Sequence, residues 1–178
     1  MVTFRVDIGT SAAGNLQVNK DFHQRSLMFN GLTTRKAIAD ALCHIMSAFD
    51  ENDASLLASA VTPDITLTIN GNDVSGFENV KAHSLNTVGP MDTTHFATNI
   101  RIDVADNDAA IATLTANNLT LHYTGWDGLG SSERKLFGGS KHVIELSEDE
   151  KDGLYKVNFW HMKTAWKEGG TGWLHPNA

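Results

Sequence analysis

Apolar positions in the first half of the chain recur at helical spacing. From GLTTRKAIADALCHIMSAFD onward, Ile38, Ala41, Leu42, Ile45, Met46 and Phe49 fall on one face, and Thr33 or Thr34 is the candidate N-cap. A second short helix is predicted from Asp53, burying Leu56, Leu57, Ala60 and Val61, with Pro63 closing it. The period then drops to two. Ile65, Leu67 and Ile69 alternate in DITLTING, which reads as a strand running into a turn. Ser75, three residues before Glu78, has the spacing of a capping box at the head of a third helix, and Gly89-Pro90 ends it.

Beyond residue 92 the pattern is that of long strands, predicted over 93–104, 109–123, 137–146 and 154–166. ADND turns between the first pair, and SEDEKDG joins the last pair. Helices first and antiparallel strands afterwards is an α+β order. A long curved sheet with three helices over its concave face would enclose a pocket. Residues 1–32 read as an N-terminal extension, 33–166 as the domain proper, and 167–178 as a tail. Trp173 and Leu174 in that tail lie beyond a Gly-Gly-Thr-Gly hinge and could cover a pocket mouth or pack on a neighbouring subunit. Trp160 and Trp166, six residues apart, are expected on one strand face.

Composition narrows the function classes. The 178 residues are 41% hydrophobic and 20% charged, as in an ordinary globular domain. A formal charge of −7 repels polyanions and argues against a nucleic-acid partner. No apolar run has the length of a membrane span, and MVTFRVDIG lacks a secretory apolar region. Cys43 is the single cysteine, so no internal disulfide is possible; its place beside the apolar stripe reads as packing. Together these give the expectation of a cytoplasmic protein.

Two residues invite chemistry. Asp50 falls at the end of the first long helix, flanking its apolar face. It either opens the connecting turn or presents a carboxylate to the interior. His95 opens the strand DTTHFATNIRIDV, where an imidazole is either a hydrogen-bonded wall residue or a base. A base needs a carboxylate on one ring nitrogen, so that the other is left to take a proton. No H-E-x-x-H, H-x-H or Cys/His pair is present at ligand spacing, so no metal site is expected. His142 and Glu145 in HVIE would face opposite sides of a strand. GLGSS is flexible without being a phosphate-binding pattern.

The order of elements, with IMSAFDENDASLLASAVTPDITLTING followed by DTTHFATNIRIDV, resembles the SnoaL-like group of the nuclear transport factor two superfamily. That group includes polyketide cyclases and is related to scytalone dehydratase and hexachlorocyclohexane dehydrochlorinase. The resemblance covers roughly residues 33 to 166. It is carried most specifically by Asp50 and by Thr93, His95 and Asn99 in T-x-H-x-x-x-N. It implies a cone-shaped α+β barrel, a dimer or trimer, and an Asp50–His95 dyad that needs neither metal nor organic cofactor. The implied substrate is a small, largely apolar molecule of the secondary-metabolite kind. The implied reaction is elimination of water, isomerisation or ring closure.

The strand after the second helix offers Leu67 where the dehydratases commonly place aromatic residues. His122, Tyr123, His142, Asn158 and His161 are candidates for a further polar group, and Trp126 in the long loop is a candidate substrate contact. Strand alternation sends His122 and Tyr123 to opposite faces, so without a bulge at most one of the two is expected to line the pocket. The rival expectation is a non-catalytic small-molecule-binding or accessory domain of the same fold.

Overall fold

The computed structural model describes residues 32–104, 111–125, 128 and 134–170. The chain forms α1 (Thr34–Glu51), α2 (Ala54–Ala60), β1 (Val61–Ile69), β2 (Asn72–Ser75), α3 (Phe77–His83) and the single turn α4 (Leu85–Val88). Four long strands follow: β3 (Asp92–Val104), β4 (Ile111–Tyr123), β5 (Lys135–Glu148) and β6 (Tyr155–Gly169). They join one curved, open sheet in the order β2-β1-β6-β5-β4-β3. Among the described residues β2 and β3 are its two edges, so the sheet does not close into a barrel. The pairings are antiparallel except that of β1 with β6, which is parallel. That pairing departs from the wholly antiparallel sheet expected from the sequence.

The apolar stripe of α1 lies on the concave face. Ile38, Leu42, Ile45, Met46 and Phe49 are all at most 5% exposed. They meet Leu114 and Ala116 of β4, Ile144 and Leu146 of β5, and Val157 and Trp160 of β6. Leu57, Ile65 and Leu67 extend the core under α2 and β1. Burying a Leu or Ile side chain contributes about 1.5–3 kcal/mol, so this layer holds the helices to the sheet. Arg35 donates to the Ile102 carbonyl and ties the start of α1 to β3.

Asparagines make the sharp bends. Asn52 (φ 54°) caps α1, Asn70 (φ 51°) turns β1 toward β2, and Asn99 (φ 52°) sits at a register shift in β3 between Thr98 and Arg101. Asn tolerates this left-handed backbone better than most residues. The Asn of the T-x-H-x-x-x-N segment is therefore a bend-maker.

Several local expectations are corrected. Pro63 stands inside β1 instead of ending α2; the β1–β6 register shifts between Val61 and Thr66, so its missing N–H falls where the ladder is interrupted. The capping box does not form. Gly76 (φ 84°) is the N-cap of α3, while Ser75 ends β2 with its hydroxyl 3.1 Å from Thr66 Oγ1. Cys43 is exposed on α1 and packs into no core. Trp160 and Trp166 do not share a face, because the β5–β6 register shifts between Gly139 and Ser140. Trp160 is 3% exposed in the core, whereas Trp166 is 51% exposed. Trp166 instead completes an outward row with Phe96, Leu119 and Gly139, each opposite the next in register. The strand expected to end at 166 continues to Gly169. The ADND turn, Trp173 and nearly all of the 1–32 extension lie outside the described residues.

Candidate active site

Asp50 is held in the last turn of α1, one turn on from Met46 and beside Phe49, so its carboxylate leaves the helix toward β3. A carboxylate at a helix C-terminus opposes the helix dipole at a cost of about 0.3–1 kcal/mol. Two hydrogen bonds offset this. Asp50 Oδ1 lies 2.7 Å from His95 Nδ1, and Asp50 Oδ2 accepts the His95 backbone N–H at 3.0 Å. Bonds to a charged group are worth about 1.5–3 kcal/mol each, so the contact outweighs the dipole. The ionised carboxylate only accepts, hence His95 Nδ1 carries the proton it donates. Nε2 is then the ring atom left for proton exchange. The His95 side chain is 6% exposed.

Rings surround this pair. Phe49 lies 5.4 Å from His95 and 6.1 Å from Trp160, centroid to centroid. His122 stands edge-on to His95 at 5.3 Å, and His142 lies 5.6 Å from Trp160. His122 Nδ1 is 3.0 Å from Thr93 Oγ1, its partner across the β3–β4 ladder. Burial pulls His122 down to about 4; the His95 charge pushes the same way, and Asp50 pulls against both. Burial likewise holds His142 near 4, again with His95 adding to the effect. Both rings are therefore neutral at pH 7 and offer one donor and one acceptor each.

The structure brings Asp50, His95 and His122 together. It does not bring Tyr123 with them: that ring turns to the opposite face and packs edge-on against Phe137, 6.1 Å away. Leu67 is 2% exposed and lies level with Trp160, so it supports the floor from within the core. Asn158 occupies the irregular stretch of β6 with its Oδ1 buried and unpartnered, and no described hydrogen bond joins it to the dyad. His161, next to Trp160 on β6, takes the outward face level with Val143. Trp126 lies outside the described residues. Glu145 is exposed while His142 is buried, as strand alternation requires.

Sequence reasoning missed the polar group formed by Ser140, Asn118 and Trp160. Trp160 Nε1 donates to His142 Nδ1 at 2.7 Å, and His142 Nε2 lies 2.7 Å from Ser140 Oγ. The period-two run Ser140, His142, Ile144, Leu146 carried the signal, since it places the serine and histidine on the face of two core residues.

The open sheet backed by α1 has the α+β fold of nuclear transport factor two-like proteins. The SnoaL-like domain model matches residues 30–175, and the chain belongs to that family. A curated relative is the terrestric acid biosynthesis cluster protein E of Penicillium crustosum. It is 36% identical over 138 residues, covering 78% of this chain and 87% of the relative. A putative scytalone dehydratase from Novosphingobium aromaticivorans superposes with a TM-score of 0.65 at 19% identity, over 76% of this chain and 87% of that one. The hexachlorocyclohexane dehydrochlorinase LinA-type3 from Novosphingobium barchaimii gives 0.61 at 20% identity, over 78% and 90%. At these identities the structural likeness is one of fold.

Proposed function

We propose that this protein is a cofactor-independent lyase, isomerase or cyclase in which His95, oriented by Asp50, moves a proton on a small apolar organic molecule. The observation that carries the reading is the two-point hold of Asp50 on the ring and the backbone of His95. A structural histidine needs one partner for its ring. A base needs its tautomer fixed and its positive charge compensated once it takes a proton, and one carboxylate on Nδ1 serves both needs.

In this scheme Nε2 of His95 removes a proton from a carbon next to a carbonyl, and the electron pair moves into the enolate. Asp50 stabilises the imidazolium that results. Neutral His122, 5.3 Å away, accepts the Thr93 hydroxyl at Nδ1 in this scheme and donates from Nε2 to the developing oxyanion. Returning the proton to a departing hydroxyl completes loss of water; returning it at another carbon shifts a double bond; attack of the enolate on a second carbonyl closes a ring. The family, and a relative whose name places it in a biosynthesis cluster, support a small-molecule substrate of the secondary-metabolite kind. Neighbours named as a dehydratase and a dehydrochlorinase support elimination in particular.

Deuterium incorporation from D₂O into small cyclic β-hydroxy ketones and enones, followed by NMR, tests this. The wild type should label the carbon beside the carbonyl. Asp50→Asn should slow labelling by about 10²–10⁴-fold, the range of positioned acid–base groups, and His95→Gln should abolish it. Labelling that proceeds equally well in His95→Gln would remove the dyad from the chemistry.

A further inference from the structure

The concave face carries a second polar group that the dyad does not use. Along the ladder, His95 is level with Thr120 and Gly138, and the next inward row is Ala97, Asn118 and Ser140. Two residues of strand separate these rows, about 7 Å.

Chemistry fixes the hydrogens here. An indole N–H can only donate, so His142 Nδ1 must accept from Trp160. The neutral ring then carries its proton on Nε2 and donates it to Ser140 Oγ. Ser140 has accepted, and its own hydroxyl hydrogen points elsewhere. Asn118 shows the complementary need. The thioether of Met46 accepts from Asn118 Nδ2 at 3.4 Å, which turns Oδ1 the other way. That oxygen is buried and has no hydrogen-bond partner among the described residues, in a residue only 6% exposed. Buried carbonyl oxygens are nearly always satisfied in native proteins. Ser140, half-buried, and Asn118 stand opposite each other on neighbouring strands, one with a spare donor and the other with a spare acceptor.

We propose that Ser140 and Asn118 form a hydroxyl-recognition pair, Ser140 donating to the ligand oxygen while Asn118 Oδ1 accepts the ligand O–H. This rests on the reading of the concave face as a small-molecule site and narrows its substrate to an alcohol, phenol or enol. A ketone or ether would leave Asn118 unsatisfied. Trp160 and His142 are positioning residues, because they fix which way the Ser140 hydrogen points.

The test is NMR titration of the full chain with 2-naphthol and 2-methoxynaphthalene, which differ in the O–H. The wild type should prefer the naphthol by about tenfold or more, the worth of one satisfied hydrogen bond. Asn118→Leu should bring the ratio near one, whereas Ser140→Ala, which removes a donor that either ligand oxygen accepts, should weaken the binding of both probes. Nitrogen-15 spectra should place the His142 proton on Nε2. Equal affinities in the wild type, no binding of either probe at millimolar concentration, or a His142 proton on Nδ1 would overturn the proposal.

His95→Gln separates this pair from the dyad. The preference should survive there, since binding is read without turnover. A preference lost in His95→Gln but kept in Asn118→Leu would place the hydroxyl on the dyad and refute the pair. A protein that discriminates the probes but exchanges no proton would refute the dyad alone.

Discussion

Acid should destabilise this protein through two neutral histidines on its concave face. His122 and His142 are held near 4, against an ordinary value of 6.5. Their folded-state values lie below those of the unfolded chain, so the unfolded chain binds protons first as the pH falls. The full stability is present above about pH 6.5 and drains away between there and about 4. The gap of about 2.5 pH units, at about 1.4 kcal/mol per unit, caps the loss at about 3.5 kcal/mol per histidine. From pH 7.5 to 5 the same relation gives about 2 kcal/mol each, or about 4 kcal/mol together. Both side chains belong to buried residues, 7% and 2% exposed, so solvent screening leaves most of this intact. Against a typical domain stability of about 5–15 kcal/mol the effect is large. Urea unfolding followed by tryptophan fluorescence at pH 7.5 and 5 measures it. His142→Gln removes one titrating ring, and groups common to both proteins cancel in the comparison. The variant should be less stable at pH 7.5, having lost the Trp160 bond, yet should lose about 2 kcal/mol less on acidification. Identical pH dependence in the two proteins would show that burial does not hold His142 neutral.

Other outcomes follow from packing and backbone. Leu114→Ala, at a fully buried position between α1 and the sheet, should cost about 2–5 kcal/mol in urea unfolding. Trp160→Phe keeps the ring but strips the donor from His142 Nδ1, and should cost about 1–3 kcal/mol while releasing the His142 tautomer, visible in nitrogen-15 spectra. At Asn99, whose φ is 52°, Asn99→Gly should be nearly neutral, whereas Asn99→Val should destabilise by about 1–3 kcal/mol in the same assay.

Local periodicity carried much of this fold. The stripe from Ile38 to Phe49 is one buried helix face, and the alternation in β4 and β5 follows the observed burial strand by strand. What failed to show was non-local or very short. The polar tetrapeptide NDVS has no apolar pattern to betray β2, yet it competes for Ser75 and so dissolves the apparent capping box. The parallel pairing of β1 with β6 joins segments far apart in sequence and leaves no local trace. Trp166 was misplaced because a single register shift reverses the side-chain parity beyond it. The Asp50–His95 contact spans 45 residues, so spacing alone could not supply it, and the family resemblance did. The relay from Trp160 to Ser140 crosses from β6 to β5, and only the β5 half of it was periodic in the sequence.

The bend at Asn99 has a consequence for the life of the protein among its own copies. Among the described residues β3 is an edge strand of 13 residues, and α1 engages its backbone at two points, Asp50 at the His95 N–H and Arg35 at the Ile102 carbonyl. Such an edge is a template on which another chain could add a strand. The register shift at Asn99 interrupts it near the middle, and Arg101 and Asp103 follow with outward charges. Neither half is then a long, flat, neutral run. The residue that bends β3 thereby also guards against aggregation, and a flattened β3 would endanger solubility before it endangered the fold.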